Sequence, residues 1–115
     1  MFKGQNNRTE MYSALKAEVP VPGDPTTELN TKLIGNLASH SEVLVCGQAK
    51  SHCVNWTARD LLSGWPAGRS PADIVILENG CSPVGGFEAM ADEFFSDMKT
   101  AGVTMTTCEA WVPKK

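Results

Sequence analysis

The sequence predicts an α/β protein with a parallel sheet. Three apolar runs of strand length alternate with three helical patterns along the 115 residues. Alternation of this kind implies right-handed crossovers between parallel strands. Two of the runs, VLVC at residues 43–46 and IVIL at residues 74–77, are unbroken, as in strands covered on both faces. We therefore expect a Rossmann-like, three-layer αβα fold, present here as a partial domain with about three strands.

Composition narrows the class of protein. The length of 115 residues fits one domain, and 42% hydrophobic with 20% charged residues is ordinary for a globular chain. A net charge of −3 without a Lys/Arg cluster argues against a nucleic-acid surface. No apolar run is long enough to span a membrane, and the N-terminus lacks the apolar segment of a signal peptide. We expect a cytoplasmic protein with neither a nucleic-acid nor a membrane partner.

The first part of the chain predicts a loop followed by a helix. Residues 1–24 are polar or proline-rich and are expected to be irregular. Asp24, which precedes a proline, can N-cap a helix. Apolar residues then follow at helical spacing from Leu29 to Leu37. We expect one helix from the Asp24 cap to about residue 40.

A strand, a tight turn and a helix follow. Residues 42–46 are expected to form the first strand, and residues 47–49 the turn. Ser51 is placed to N-cap a helix over residues 52–63, which Gly64 should end.

The remainder repeats the pattern of strand, loop and helix once and ends in a third strand. The second strand covers residues 74–77, and the loop CSPVGG follows it. Apolar residues from Phe87 to Met98 recur at helical spacing and predict an amphipathic helix with that stripe in the core. Residues 103–107 alternate in polarity, which is typical of an edge strand.

Cys53 is the residue that this arrangement makes chemically distinctive. It lies in the first turn of the second predicted helix, just beyond the carboxyl end of a strand, where ligands bind in open α/β sheets. Unpaired N–H groups at a helix N-terminus favour a thiolate and can bind an oxyanion. A strand, a tight turn and a nucleophile at a helix start form the nucleophile elbow, here with cysteine in place of serine.

The other candidate residues are weaker. The four cysteines have neither zinc-site nor disulfide spacing, so we expect free thiols. Cys46 lies inside a strand and is predicted to be a core residue. Cys81 follows a strand and either lines the same cleft or is inert. His40 and His52 are both poorly placed to serve as the base for Cys53, which directs the search toward a carboxylate and a lysine.

Several segments together resemble one family. GQAKSHCV at residues 47–54 and TARD at residues 57–60 resemble the nucleophile motif of the isochorismatase-like cysteine hydrolases, the superfamily of the nicotinamidases. FKG at residues 2–4, followed by YSA at residues 12–14, resembles the segment that carries the lysine of that family. The resemblance continues through the two remaining strand–helix units and so covers most of the chain.

The resemblance implies a Cys-Asp-Lys triad that hydrolyses a small carboxamide and releases ammonia. Cys53 would form a thioester with the substrate, and Lys3 would favour its thiolate and orient the substrate. The family has a cis peptide in this turn, which here falls at Gln48–Ala49, and the Ala49 and Cys53 N–H groups would bind the oxyanion. Four weaker candidates for substrate contact are Tyr12, Ser13, Asn79 and Ser82, of which the first two more often anchor loops.

The chain departs from the family in one respect. The family's aspartate and its metal-binding Asp-x-His…His cluster lie well upstream of the lysine, whereas this sequence begins two residues before Lys3. Residues 1–115 are therefore expected to be the C-terminal part of such a domain, with residues 1–24 as the loop segment that carries the lysine. Phe2 would end the strand that leads into Lys3.

The base and any metal are accordingly expected from elsewhere. We expect no cofactor in this chain, because a divalent metal would need residues upstream of Met1. A homo-oligomer or a missing N-terminal half would complete the site. Four acidic residues within the chain are conceivable substitutes for the base, but none is favoured: Glu10, Glu18, Asp24 and Glu78.

Three functions remain open. The first is a cysteine hydrolase completed by another half or chain, with a small-molecule amide as substrate. The second is an inactive fragment or interaction module on the same scaffold, whose sheet edge would pair with another chain. The third is a cysteine-dependent redox or metal module, which the cysteine spacing disfavours.

Overall fold

A parallel sheet of three strands organises residues 3–113, the part of the chain that the computed structural model describes. The strands lie in the order β1 (Val43–Gln48), β2 (Ile74–Ser82) and β3 (Thr104–Thr106). The helices are α1 (Thr31–Ala38), α2 (Cys53–Ser63) and α3 (Glu88–Thr100), and two 3-10 turns cover Pro25–Thr27 and Pro71–Asp73. The predicted α/β class with a parallel sheet is confirmed. The expectation for Phe2 lies outside the described residues.

The helices share one hydrophobic core with the inward face of the sheet. Because the strand order is sequential, right-handed crossovers place α2 and α3 on the same side of the sheet. Ile74 and Ile76 of β2 are fully buried in this core, together with Phe94 of α3. Buried residues from the other helices are Ile34 of α1 and Val54, Ala58 and Leu61 of α2. No helix within residues 3–113 is long and apolar enough to cross a membrane.

The N-cap at Asp24 is present, but it caps only a 3-10 turn. The Asp24 carboxylate accepts a hydrogen bond from Thr26 N at 3.0 Å and from Thr26 Oγ1 at 2.6 Å. The Thr26 hydroxyl, the Asn6 amide and the Thr26 backbone N–H together lower the pKa of the Asp24 carboxyl. These bonds fix the start of Pro25–Thr27 without starting a longer helix.

The predicted single helix from residue 24 to residue 40 is therefore wrong. Glu28 is extended and ends the 3-10 turn. Asn30 then starts α1, since its side-chain oxygen accepts a hydrogen bond from Leu33 N at 3.0 Å. Two capping side chains, Asp24 and Asn30, compete within seven residues, and each begins its own turn.

The strand β1 lies at one edge of the sheet and is covered on one face. Val43 and Val45 pack against the core, whereas Leu44 is 38% exposed and Cys46 is also exposed. The prediction that Cys46 is a core residue is therefore wrong. Its apolar run suggested cover on both faces, but alternate side chains of this edge strand face solvent in the described chain.

The strand β2 is longer than predicted and carries a wide bulge. Its register with β1 jumps from the pair Val45–Ile76 to the pair Gly47–Cys81. Residues 77–80 therefore bulge out of the ladder with β1, and Cys81 and Ser82, the first two residues of the segment predicted to be a loop, are paired with β1 as part of β2. After the bulge, β2 pairs again with the last two residues of β1, directly before the β1–α2 turn.

The last helix and strand agree with the predicted pattern except at their ends. Phe94 and Met98 of α3 are buried, whereas Phe87, which precedes the helix, is 43% exposed and is not a core residue. The strand β3 pairs with β2 alone and is an edge strand, as predicted. Beyond it, Trp111 Nε1 donates to Glu42 Oε1 at 3.1 Å, which ties the C-terminal segment to the residue before β1.

The capping role of Asn30 gives a first prediction. Replacing Asn30 with alanine removes the acceptor for Leu33 N and should lower the free energy of unfolding by about 1 kcal/mol. Asn36→Ala is the matched control, because Asn36 is an exposed residue of the same helix, and it should change stability by less than about 0.5 kcal/mol. Urea unfolding measures both. Equal effects of the two variants would contradict the capping role.

Candidate active site

The turn between β1 and α2 is held by the end of β2. Lys50 N donates to the carbonyl oxygen of Ser82 at 2.7 Å. Val84 N donates to Ser51 Oγ at 3.0 Å, and Ser51 is completely buried. The hydroxyl of Ser51 thus joins two loops, and the prediction that Ser51 N-caps α2 is wrong. The turn therefore has a fixed position relative to the carboxyl ends of β1 and β2.

The first turn of α2 leaves two N–H groups available. The carbonyl oxygen of Ala49 accepts hydrogen bonds from His52 N and Val54 N, each at 3.0 Å. Within residues 3–113, neither Ala49 N nor Cys53 N has a hydrogen-bond acceptor. The peptide bond between Gln48 and Ala49 is cis. The turn thus combines the cis peptide and the two free donors that the family resemblance implies.

Lys3 lies against Cys53, although 50 positions separate them. Lys3 Nζ is 3.2 Å from Cys53 Sγ and also donates to the carbonyl oxygen of Tyr12 at 2.8 Å. Cys53 is partly buried, so its sulfur sits between protein and solvent. The structure therefore brings together the two side chains that the sequence singled out as a pair.

Residues 12–14 hold Lys3 in place through α2. Ala14 N donates to Thr57 Oγ1 at 2.8 Å, which fastens this segment to the helix that starts at Cys53. Ser13 is completely buried, and its hydroxyl accepts a hydrogen bond from Leu15 N at 3.0 Å. Ser13 thus occupies the position of a loop anchor, while the Tyr12 carbonyl contacts the lysine directly.

Four rings cluster around His52, the residue that directly precedes Cys53, and we call them the aromatic cluster: Tyr12, His52, Trp56 and Phe87. The His52 ring is nearly parallel to the Trp56 ring at 9° with centroids 6.1 Å apart, and Phe87 meets His52 edge-on at 4.8 Å. Tyr12 lies 5.8 Å from His52. The His52 Nδ1 atom pairs with Ser51 Oγ at 2.8 Å and not with Cys53. His52 is therefore placed as part of a ring surface.

Asn79 is occupied by the C-terminal segment. Its Nδ2 donates to Glu109 Oε2 at 2.8 Å, and its Oδ1 accepts from Cys108 N at 2.8 Å. A backbone N–H, and then the Asn79 amide, lower the pKa of the Glu109 carboxyl. Ser82 contributes its carbonyl oxygen to the β1–α2 turn, as described above. Both residues thus act in the fixation of loops in the described chain.

Cys81 lies in β2 beside the bulge. It is partly buried, and its thiol donates to the carbonyl oxygen of Leu77 at 3.4 Å. Burial raises the pKa of the Cys81 thiol, against the opposing hydrogen bond from the Gly47 backbone. A raised pKa makes the thiolate, and hence nucleophilic reactivity, scarcer at neutral pH.

The described residues supply neither a base nor a metal site at Cys53. Within residues 3–113, no carboxylate forms a hydrogen bond or an ion pair with Lys3 or Cys53. In the same part of the chain, no group of three or more His, Cys, Asp or Glu side chains is arranged to hold a metal ion. The His, Cys, Asp and Glu side chains of the described residues therefore do not fit the metal cluster that the resemblance implies.

Comparison with known proteins supports the same fold. No family model matches the chain, and no curated protein matches it. Among solved structures, it is similar to PnC1 from L. infantum, solved in complex with nicotinate, with 29% identity and a TM-score of 0.70. It is also similar in fold to a nicotinamidase/pyrazinamidase from Acinetobacter baumanii, with 23% identity and a TM-score of 0.56.

The two similarities cover most of this chain but only about half of each solved chain. The match to PnC1 covers 97% of this chain and 50% of PnC1, and the match to the Acinetobacter protein covers 84% of this chain and 41% of that protein. The chain thus has the isochorismatase-like fold of nicotinamidases and spans about half the length of those structures. This confirms the resemblance and is consistent with a partial domain.

Two parts of the candidate site were not predicted from the sequence. Thr57 was noted in the sequence only as part of the TARD motif. Its hydrogen bond with Ala14 N depends on the position of a loop, and the sequence of that loop has no periodicity from which a contact could be predicted. The pairing of His52 with Trp56 follows their i, i+4 spacing on a helix, which was a usable signal. Phe87 joins them from a different helix terminus, so only the fold brings it there.

The link between Thr57 and Ala14 can be tested directly. Replacing Thr57 with valine keeps the side-chain shape but removes the acceptor, and should lower the free energy of unfolding by about 1–2 kcal/mol. Hydrogen exchange at the Ala14 amide should accelerate in this variant. Ser63→Ala, which changes another hydroxyl of α2, should leave that amide unchanged. Unaltered exchange at Ala14 in Thr57→Val would contradict the proposed attachment.

Proposed function

We propose that this chain carries the nucleophile part of a cysteine amidohydrolase site that cleaves the C–N bond of a small carboxamide. The contact of 3.2 Å between Lys3 Nζ and Cys53 Sγ carries the proposal. An ammonium in contact with the sulfur of a cysteine at a helix N-terminus is placed to stabilise the negative charge that the sulfur carries when it attacks and when it leaves. The similarity to PnC1 supports the same assignment.

Cys53 attacks the carbonyl carbon of the amide. As the new C–S bond forms, the carbonyl π electrons move to the oxygen, which becomes an oxyanion. The N–H groups of Ala49 and Cys53 are free to donate to that oxygen. The intermediate then collapses, the C–N bond breaks, and the nitrogen takes one proton from the protonated form of the general base and leaves as ammonia. A thioester on Cys53 remains.

Water completes the cycle by attack on the thioester carbon. A general base takes one proton from that water, the C–S bond breaks, and the carboxylic acid leaves. Lys3 stabilises the departing thiolate at its observed position. We assign the base to a carboxylate outside residues 3–113, provided either by a further segment of the protein or by a second chain.

An aromatic carboxamide is the substrate class that the site supports best. The aromatic cluster offers ring faces and edges around His52, which directly precedes Cys53 in the chain, and flat rings pack well against such surfaces. PnC1 was solved with nicotinate, which is the acid that hydrolysis of nicotinamide would produce. Nicotinamide is therefore the first substrate to test for this chain.

A second candidate function is an inactive interaction module on the same scaffold. The observation that favours it is the edge position of β1, where Leu44 is 38% exposed and Cys46 is also exposed. An uncovered strand edge pairs readily with another chain. Under this alternative the Cys53 site would be present without turnover.

Ammonia release distinguishes the two functions. A panel of nicotinamide, pyrazinamide, benzamide and acetamide is assayed with residues 1–115 and with the longest natural form of the protein. We expect the longest form to release ammonia, with aromatic amides preferred. Cys53→Ala should reduce the rate by about a thousandfold or more, and Lys3→Met should reduce it by about a hundredfold.

Cys81→Ser is the matched control, because it alters another cysteine near the turn and should leave the rate within about twofold of the unaltered protein. Activity that survives Cys53→Ala would refute the assignment of the nucleophile. Silence of every form toward the whole panel, with correct folding, would favour the interaction module.

A further inference from the structure

Three of the four cysteines surround Gly80 in the bulge of β2, away from the contact between Lys3 and Cys53. A methyl group placed on the Gly80 Cα would lie 3.1 Å from Cys46 Cβ and 3.4 Å from Cys108 Sγ. Both side chains therefore occupy the space that the absent side chain of Gly80 leaves open. Cys81 follows directly in the sequence. Spacing along the chain gave no indication of this grouping.

Hydrogen bonds from the side chain of Asn79 hold Cys108 in its position. The side chain of Asn79 binds the Cys108 backbone N–H and the Glu109 carboxylate, each at 2.8 Å. These two hydrogen bonds hold the segment after β3 against the bulge. Cys46 reaches the same space from the edge strand β1, on its outward-facing side. Two elements far apart in sequence thus place one cysteine side chain each against Gly80.

We propose that Cys46 and Cys108 form a redox-active pair that a peroxide converts to an intramolecular disulfide. Both thiols are free and exposed, so an oxidant in solution can reach them. The segment after β3 has no regular secondary structure beyond a turn, which allows the sulfurs to approach bonding distance. This assignment does not depend on the proposed function of Cys53.

The chemistry requires one molecule of hydrogen peroxide. One thiolate attacks a peroxide oxygen, the O–O bond breaks, and a sulfenic acid forms with release of water. The second thiol then attacks the sulfenic sulfur, an S–S bond forms, and a second water leaves. The two cysteines are oxidised by two electrons in total, and the peroxide is reduced to two waters.

Cys81 is the third thiol of the group and is the less suitable partner. It is partly buried and donates to the Leu77 carbonyl oxygen. Burial also raises the pKa of its thiol, which lowers its thiolate fraction. The disulfide is therefore assigned to the two exposed cysteines.

Peptide mapping tests the pair, because trypsin places every cysteine on a separate peptide. Cys46 falls in residues 33–50, Cys53 in residues 51–59, Cys81 in residues 70–99 and Cys108 in residues 100–114. The reduced chain and its Cys53→Ser variant, which lacks the thiol beside Lys3, are each treated with hydrogen peroxide and digested without reductant. In the Cys53→Ser variant, one equivalent of peroxide should give a cross-link between residues 33–50 and 100–114, a protein mass lower by two hydrogen atoms, and loss of two of the three remaining free thiols.

Variants decide between the pair and its alternatives. Cys46→Ser and Cys108→Ser should each abolish the cross-link, whereas Cys53→Ser and Cys81→Ser should preserve it. Asn79→Ala should slow its formation, since the segment that carries Cys108 is released. A cross-link that involves residues 51–59 or 70–99 instead would overturn the proposal. Over-oxidation to sulfinic acid without any intramolecular disulfide, or only dimers on a non-reducing gel, would also overturn it.

Discussion

The hydrogen bonds between the end of β2 and the β1–α2 turn are the constraint on which the candidate site depends. Lys50 N and Ser51 Oγ bind the backbone of residues 82 and 84. With the turn held there, the carbonyl oxygen of Ala49 closes the first turn of α2. Cys53 consequently begins α2 just beyond the carboxyl end of β1, with its backbone N–H free among the described residues and its sulfur in contact with Lys3. The bulge in β2 is part of the same constraint, because β1 and β2 pair again after it, at Gly47 and Cys81, next to the β1–α2 turn.

A second attachment, between residues 12–14 and α2, positions the positive charge of Lys3 next to Cys53. Lys3 belongs to a segment without regular structure, yet it reaches Cys53 because residues 12–14 dock onto α2. The helix that begins with Cys53 therefore also carries the anchor, Thr57, for the lysine segment. One short helix thus positions both partners of the contact. For this reason a chain that spans about half of PnC1 still brings a cysteine, an ammonium group and two free backbone donors together.

The sequence predicted the parts of the fold that depend on local pattern. The parallel strands, α2 and the buried stripe of α3 followed from periodicity, and the Lys3–Cys53 pair followed from family resemblance. The break before α1 was missed because Asp24 and Asn30 are both capable caps, and local pattern does not rank them. Cys46 was misplaced because its apolar run suits a central strand, and strand order is a property of the whole sheet. The grouping of cysteines around Gly80 was invisible for a similar reason, since a bulge and a tail meet there.

We infer that the contact with Lys3 makes Cys53 the most reactive thiol of the chain. A limiting amount of iodoacetamide at neutral pH, followed by tryptic mapping, measures the alkylation rate of each cysteine separately. We expect Cys53 to be alkylated first, although Cys46 and Cys108 are more exposed. Lys3→Met should slow the alkylation of Cys53 several-fold without changing that of Cys46 or Cys108. Faster alkylation of Cys46 or Cys108 than of Cys53, with no effect of Lys3→Met, would contradict it.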